Sequence, residues 1–529
     1  MHPLTKMVRL FVYFGFLFLG LSHYQLSPAL ASNHLSCQDL AAISSNVVAL
    51  SQHDFDTAQN NIVVFADDTH YCLLEDVTGY VYAYGSNIIF NLYGHSLTTP
   101  QRLYDAASII SSNNVLFING TIAGGRRNLA MSNSQHVRIE KITFTSPSYN
   151  DPVVQGYELV DMTFITNTIP QAPSGVLIHG GERLHFSGNS ITASTTGLYV
   201  QGDDITIEEN TIVAEERGIE VMLTTKQSPL AVRLNTVRVE SSQQRSIFDE
   251  PTVPTAGVYG IHVGGIYSTT APTRVVQITD NDVYFRHTTC NENSALIVES
   301  LSNAYIYGNL LQSAHAALRI NNVVNTEVIF NTLENIIPAS EIHADPWVCS
   351  ETGFVANAID NTVVKNNTIY NSRSSVTNAN GLLWRNNQHT YFGHIRELLY
   401  VQDTVNMNLE GSIMYMSEDI YQNFTGSPRF IRLINTDQSS IWRNTFTGGP
   451  HKIIAGLFMS ESDNVTVSGN KMQNAEFLLY LVNNTHVYDQ YNTFCHITSY
   501  TNGHYPHVVD STSSRTPLSS PPWKEVCSS

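Results

Sequence analysis

The chain has 529 residues, a formal net charge of −18, and only 14% charged residues beside 42% hydrophobic ones. Its 47 asparagines outnumber the 27 lysines and arginines together. The acidic balance excludes a nucleic-acid partner, which needs a basic footprint. The wealth of Val, Ile, Phe and Tyr excludes a disordered chain.

From the N-terminus, Lys6 and Arg9 precede an apolar run from Leu10 to Leu21, followed by Ala29-Leu30-Ala31. That is the three-part layout of a secretory signal, and the run is too short to span a bilayer. Loss of residues 1–31 would remove the two positive charges of Lys6 and Arg9 and take the net charge from −18 to −20. No membrane span is expected in the mature chain, which is expected to be secreted or periplasmic. Six cysteines, an even number in an exported chain, suit disulfides better than metal. Neighbours are expected to pair: Cys37 with Cys72, Cys290 with Cys349, and Cys495 with Cys527. Residues 32–84 read as a cap, 85–495 as a repeat region and 496–529 as a tail rich in Ser, Thr and Pro.

The repeat is an Asn followed two places later by an apolar residue. Copies stand at Asn189, Asn210, Asn235, Asn281, Asn309, Asn331 and Asn367, and again at Asn444, Asn470 and Asn492. The gaps are 21, 25, 46, 28, 22 and 36 residues, then 26 and 22. A period in the twenties marks a solenoid whose units bury their apolar faces only by stacking. Alternating β-branched residues, as in Ile205-Thr206-Ile207, make each unit a set of short strands. The Asn is expected at a sharp corner with φ > 0, the conformation it tolerates better than other non-glycine residues. Stacked copies could also form an amide ladder.

These features resemble the right-handed parallel β-helix family of pectate lyases and related proteins, over roughly residues 85–495. The resemblance implies an all-β, single-stranded right-handed solenoid with an N-terminal cap. About sixteen coils at ~4.8 Å each would make a rod of ~75 Å.

About fourteen residues before each corner lies a second motif, a small residue followed by alternation. Examples are Gly197-Leu-Tyr-Val-Gln201, Gly218-Ile-Glu-Val-Met222, Gly260-Ile-His-Val-Gly264, Ala295-Leu-Ile-Val-Glu299 and Ala317-Leu-Arg-Ile-Asn321. The first and third residues after the small one are apolar and should point inward, so the second and fourth should point out. Tyr199, Glu220, His262 and Arg319 then form one outward column, and His179, Gln201, Glu299 and Asn321 lie in its neighbour. The longest insertions fall just before this strand. They carry Asp249 and Glu250, then His343, Asp345 and Trp347, and two of them hold Cys290 and Cys349. Long loops on a rigid scaffold are where function usually sits.

Such a column suits chemistry on a uronic-acid polymer. His262 or Tyr199 would exchange the proton beside the sugar carboxylate, Arg319 would hold that carboxylate, and Glu220 would orient His262. The substrate-binding set is expected to be His179, Gln201, Glu299, Asn321, Trp347, Asp249 and Asp345. A glycosidase needs two carboxylates flanking one bond. Ideal spacings put Glu220 and Glu299 about 11.6 Å apart, beyond the roughly 6.5–9.5 Å of inverting enzymes. Gly202-Asp203-Asp204 resembles the paired Asp of polygalacturonases, but the rest of that signature is missing. His343-Ala344-Asp345-Pro346 resembles the Asp-Pro-His-Asp motif of mannuronan epimerases without its order. No cofactor is expected; calcium is left open, with no ligands placed.

The chain is thus expected to be an exported monomer or weak oligomer acting on polysaccharide, as a lyase or C5-epimerase on a uronate-containing glycan. Three alternatives stand beside this: a non-catalytic glycan-binding or surface-interaction protein, a glycoside hydrolase, and a periplasmic accessory protein resembling the copper-maturation β-helix family. The 20 histidines favour the last, though no stacked Met/His pair stands out.

Overall fold

A computed structural model describes residues 36–527 apart from 101–102, 146–150, 226–227, 241–257, 266–275, 287–292, 314, 336–351, 392–396, 417–427, 450–452, 484–485, 498–506, 510–512 and 520–521. The proposed signal segment, Asp249, Glu250, His343, Asp345, Trp347 and the Cys290–Cys349 pair lie outside the described residues. Among the described residues no helix is long and apolar enough to cross a membrane.

Strands dominate, and they pair in parallel with the coil before and the coil after rather than with their neighbours in sequence. Arg217–Leu223 lies between Thr196–Glu208 and Val258–Gly264. The next strand, Leu230–Arg233, pairs with Val276–Thr279, and Thr236–Val239 pairs with Asp282–Phe285. One coil therefore contributes a strand to each of three walls, and the chain winds around a common axis. The reason is the sequence period: a single unit has too little apolar surface to close on itself, so it is buried only between its neighbours.

Inside, the residues at the first and third places after each small residue fill the rod. Ile219, Val221, Ile261, Val263, Leu296, Val298, Leu318 and Ile320 are all fully buried. Each such side chain stabilises the fold by roughly 1.5–3 kcal/mol. The small residue marks a place where coils touch backbone to backbone. A Cβ on Gly218 would meet the Gly260 carbonyl oxygen at 2.4 Å and Val237 at 2.2 Å.

The corner asparagines do form a ladder, but not in the conformation expected of them. The left-handed residue is the one before, as at Glu209 (φ 57°), Leu234 (φ 56°), Asp280 (φ 54°) and Phe330 (φ 56°). The Asn itself is turned inward and buried. Asn281 shows why. Its Nδ2 donates to the Val232 carbonyl at 2.8 Å and to Asn309 Oδ1 at 2.9 Å. Its Oδ1 accepts from the Asn235 backbone at 3.1 Å and from Asn235 Nδ2 at 2.9 Å. The amide is placed to satisfy buried backbone groups where the strands end, so the strain of the turn falls on its neighbour. The run begins at Asn167, and Asn387 and Ser412 carry it across the gap between Asn367 and Asn444.

Both ends are closed. The helix Cys37–Ile43 starts in a capping box between Ser36 and Asp39, and a disulfide joins Cys37 to Cys72. Behind it, Phe65 stacks on Tyr71 at 4.1 Å and packs against Phe90. At the other end Cys495 is bridged to Cys527, and the buried Trp523 donates to Asp489 at 2.8 Å. Parallel pairing runs beyond the expected limits of 85 and 495. It includes Val47–Leu50 with His70–Leu73, and Arg515–Pro517 and Trp523–Glu525 with the last coils. The Ser, Thr and Pro of the C-terminal segment conceal short edge strands, a place where a proline such as Pro517 fits a sheet.

Candidate functional site

The wall that starts at each small residue carries the site. Tyr199 pairs in register with Glu220, Glu220 with His262, His262 with Ile297, and Ile297 with Arg319. Gln201, Met222, Gly264, Glu299 and Asn321 form the neighbouring column in the same way. Strand alternation fixes this: Ile219, Val221, Ile261 and Val263 face the core, so Glu220 and His262 face out.

His262 is the centre. Its Nε2 lies 2.9 Å from Glu299 Oε1, and its Nδ1 lies 3.8 Å from Glu220 Oε1. The side chains of His262 and Glu220 are each only 13% exposed, whereas Glu299 is 38% exposed. Burial works against a charged imidazole, but the two carboxylates outweigh it and raise the pKa of His262 to about 9. In return, and against the burial that would raise it, His262, Tyr259 and Arg217 hold Glu220 below the usual carboxylate range. Glu299 is lowered chiefly by His262, with Arg319 adding its charge. Burial, and then the charge of Glu220, push the Tyr199 phenol up. At neutral pH the group is therefore an imidazolium between two carboxylates, flanked by a protonated phenol and two guanidiniums.

The reading of the sequence missed two members. Arg217 Nη1 reaches Glu220 Oε2 at 3.4 Å, and the Tyr259 ring sits edge-on to His262 at 5.0 Å. Both stand one place before the small residue and pair with each other in register; aligning that column as well would have found them. Gly264 makes room for the cluster, because a Cβ there would lie 2.9 Å from the Met222 sulfur and 3.6 Å from His262 Nε2.

His262, one of the two residues expected to exchange the proton, is held in its protonated form by the two carboxylates. Glu220 and Glu299, whose strand positions ideal spacing puts about 11.6 Å apart, both turn toward His262, each with an oxygen within 3.8 Å of a ring nitrogen. The space between them is filled by the imidazole rather than open to a sugar and a water.

The other predicted residues spread along the wall. His179 stacks on Tyr157 at 5.3 Å and tilts against Tyr199 at 5.0 Å, which extends the site toward the N-terminus as an aromatic strip. Gln201 stands between His179 and Met222. Asn321 is engaged in an outer amide chain: it accepts from Asn357 Nδ2 at 3.0 Å, and Asn357 Oδ1 accepts from Thr377 at 2.9 Å. Asp203 accepts from Thr224 at 2.7 Å and from the Thr225 backbone at 2.9 Å, so it secures a turn. Among the described residues, the one cluster of His, Cys or carboxylate atoms close enough to share a metal is Cys495, His496 and Cys527, and its two sulfurs are bonded to each other.

Residues 53–212 and 105–249 match the family model described as a right handed beta helix region. No curated protein matches the chain. Among solved structures, a DFA-IIIase from Arthrobacter chlorophenolicus A6 in complex with DFA-III is similar at 10% identity and TM-score 0.38, covering 63% of this chain and 90% of that one. The tailspike protein of an E. coli bacteriophage in complex with a pentasaccharide is similar at 12% identity and TM-score 0.37, covering 73% and 69%. An alginate lyase covers 89% and 87% at 11% identity and TM-score 0.28.

Proposed function

We propose that this chain, a right-handed parallel β-helix, is an exported protein that binds an acidic polysaccharide along the wall of His262 and acts on it as a lyase or C5-epimerase. The observation that carries this is the in-register column Tyr199–Glu220–His262 with Glu299 and Arg319 beside it. Opening or inverting a uronate unit requires a cation for its carboxylate, a donor and an acceptor of protons. Arg319 supplies the cation: it stands in the outward column two coils from His262, and its charge already reaches Glu299. His262 holds a proton and serves as the donor. Glu299, the more exposed of the two carboxylates and in contact with His262, is the acceptor, while Glu220 and Arg217 keep the imidazole in place. Tyr199, whose phenol keeps its proton, lies three coils from Glu299 and binds the glycan beside the reacting unit.

Incubation with polygalacturonate, alginate and neutral glycans tests the proposal. Acidic polymers should yield either unsaturated ends, seen by ultraviolet absorbance, or inverted C5 centres, seen by NMR. Reducing ends released without unsaturation would point to hydrolysis and sink it. A second reading is supported by the Tyr157–His179–Tyr199 stack: a binding face without turnover. It would be recognised by glycan affinity that survives His262→Gln with no product of any kind.

A further inference from the structure

The same wall continues past Arg319 through Val355, Ser375 and Tyr400 to Arg432, Phe458 and Tyr480, each in register with the last. Arg432 therefore lies roughly 19 Å beyond Arg319 at the ~4.8 Å stacking distance. Its surroundings are aromatic. The guanidinium lies 5.6 Å from the Tyr400 ring and 5.8 Å from that of Phe458, Arg429 sits 4.0 Å over Phe458, and Phe458 stacks on Tyr480 at 5.5 Å. All four side chains of the column from Tyr400 to Tyr480 are half-buried, with a face left to solvent. Nearby Arg373 is matched by the buried Glu397 at 2.9 Å, whereas Arg432 Nε has no hydrogen-bond partner among the described residues.

In a chain of net charge −18, a guanidinium held by aromatic rings and in no ion pair with a carboxylate among the described residues offers an anion a site. Planar rings beside it offer an apolar surface to the C–H faces of a sugar. We propose that Tyr400, Arg432, Phe458 and Tyr480 form a remote subsite that grips a second acidic sugar of the same polymer, one pyranose ring falling on about each coil at the ~4.8 Å spacing. The subsite rests on the functional reading above for the direction of the chain, and it makes the protein selective for long acidic glycans over short ones. Two weak contacts on one ligand multiply rather than add.

Calorimetric titration with oligogalacturonates tests it. A chain of about three units reaches only the His262 region, and one of about eight reaches Arg432 as well. Wild type should bind the longer chain about tenfold more tightly, the worth of one charged contact. Arg432→Gln and Phe458→Ala should each remove that gain and leave the shorter chain's affinity unchanged, and Arg432→Lys should restore part of it. Melting curves equal to wild type would exclude misfolding of the variants. No gain with length in wild type, or an equal gain in both Arg432→Gln and Phe458→Ala, overturns the subsite. If the longer chain depends on Arg432 but no product forms and the shorter chain does not bind, the subsite stands and the reading of the His262 region fails.

Discussion

The charge on His262 can be tested on its own. In an unfolded chain the imidazole titrates near 6.5; between Glu220 and Glu299 it titrates at about 9. The folded state therefore binds a proton that the unfolded state releases in that interval, and stability falls as pH rises through it. Titrating at about 9 rather than 6.5 corresponds to about 3 kcal/mol, fully present below about pH 6.5 and gone above about pH 9. His262→Gln removes the titrating group and keeps a hydrogen-bonding side chain of similar reach. Urea denaturation of both proteins at pH 6 and at pH 9.5 should show wild type losing about 3 kcal/mol more than the variant between the two. The histidine NMR resonance that disappears in the variant should titrate near 9 in wild type. A resonance titrating at 6.5 or below would refute the reasoning, because burial would then have overcome the carboxylates.

Glu299→Gln should lower the His262 pKa, read from the same resonance, since it leaves only the more distant Glu220. Asn281→Ala deprives the Asn235 amide, the Val232 carbonyl and Asn309 Oδ1 of a partner and should destabilise the rod by about 3 kcal/mol or more, seen as a lower urea midpoint. Ile261→Ala, which empties a fully buried position behind His262, should cost about 2–5 kcal/mol, while Tyr199→Phe should leave the melting curve unchanged and lower turnover on acidic glycan.

The phase of the working wall was legible in the sequence because two constraints mark it. The backbone contact at Gly218 or Gly260 admits only a small residue, and the two inward places after it admit only apolar ones. That is enough to align Tyr199, Glu220, His262 and Arg319. The conformation of the corners was not legible, because the residue before each Asn is as variable as Glu209, Leu234 and Phe330, and a positive φ leaves no mark on such side chains. Side-chain lean was equally hidden: ideal strand spacing separates Glu220 from Glu299, and only the pull of an imidazolium draws them in. Arg217 and Tyr259 escaped notice because they precede the small residue, outside the alternating run. The tie of the C-terminal segment to the body was legible in the even cysteine count, and the Cys495–Cys527 bridge makes it; the short strands at Arg515–Pro517 and Trp523–Glu525 were not, because Ser, Thr and Pro mask the alternation.

The most direct trial is an experimental structure of the protein with a bound acidic oligosaccharide. It should show a sugar carboxylate within hydrogen-bond distance of Arg319, a neighbouring ring above His262, and the chain lying parallel to the rod. A glycan bound on either of the other two walls, or contacts with Arg319 made only by the protein's own carboxylates, would contradict the account.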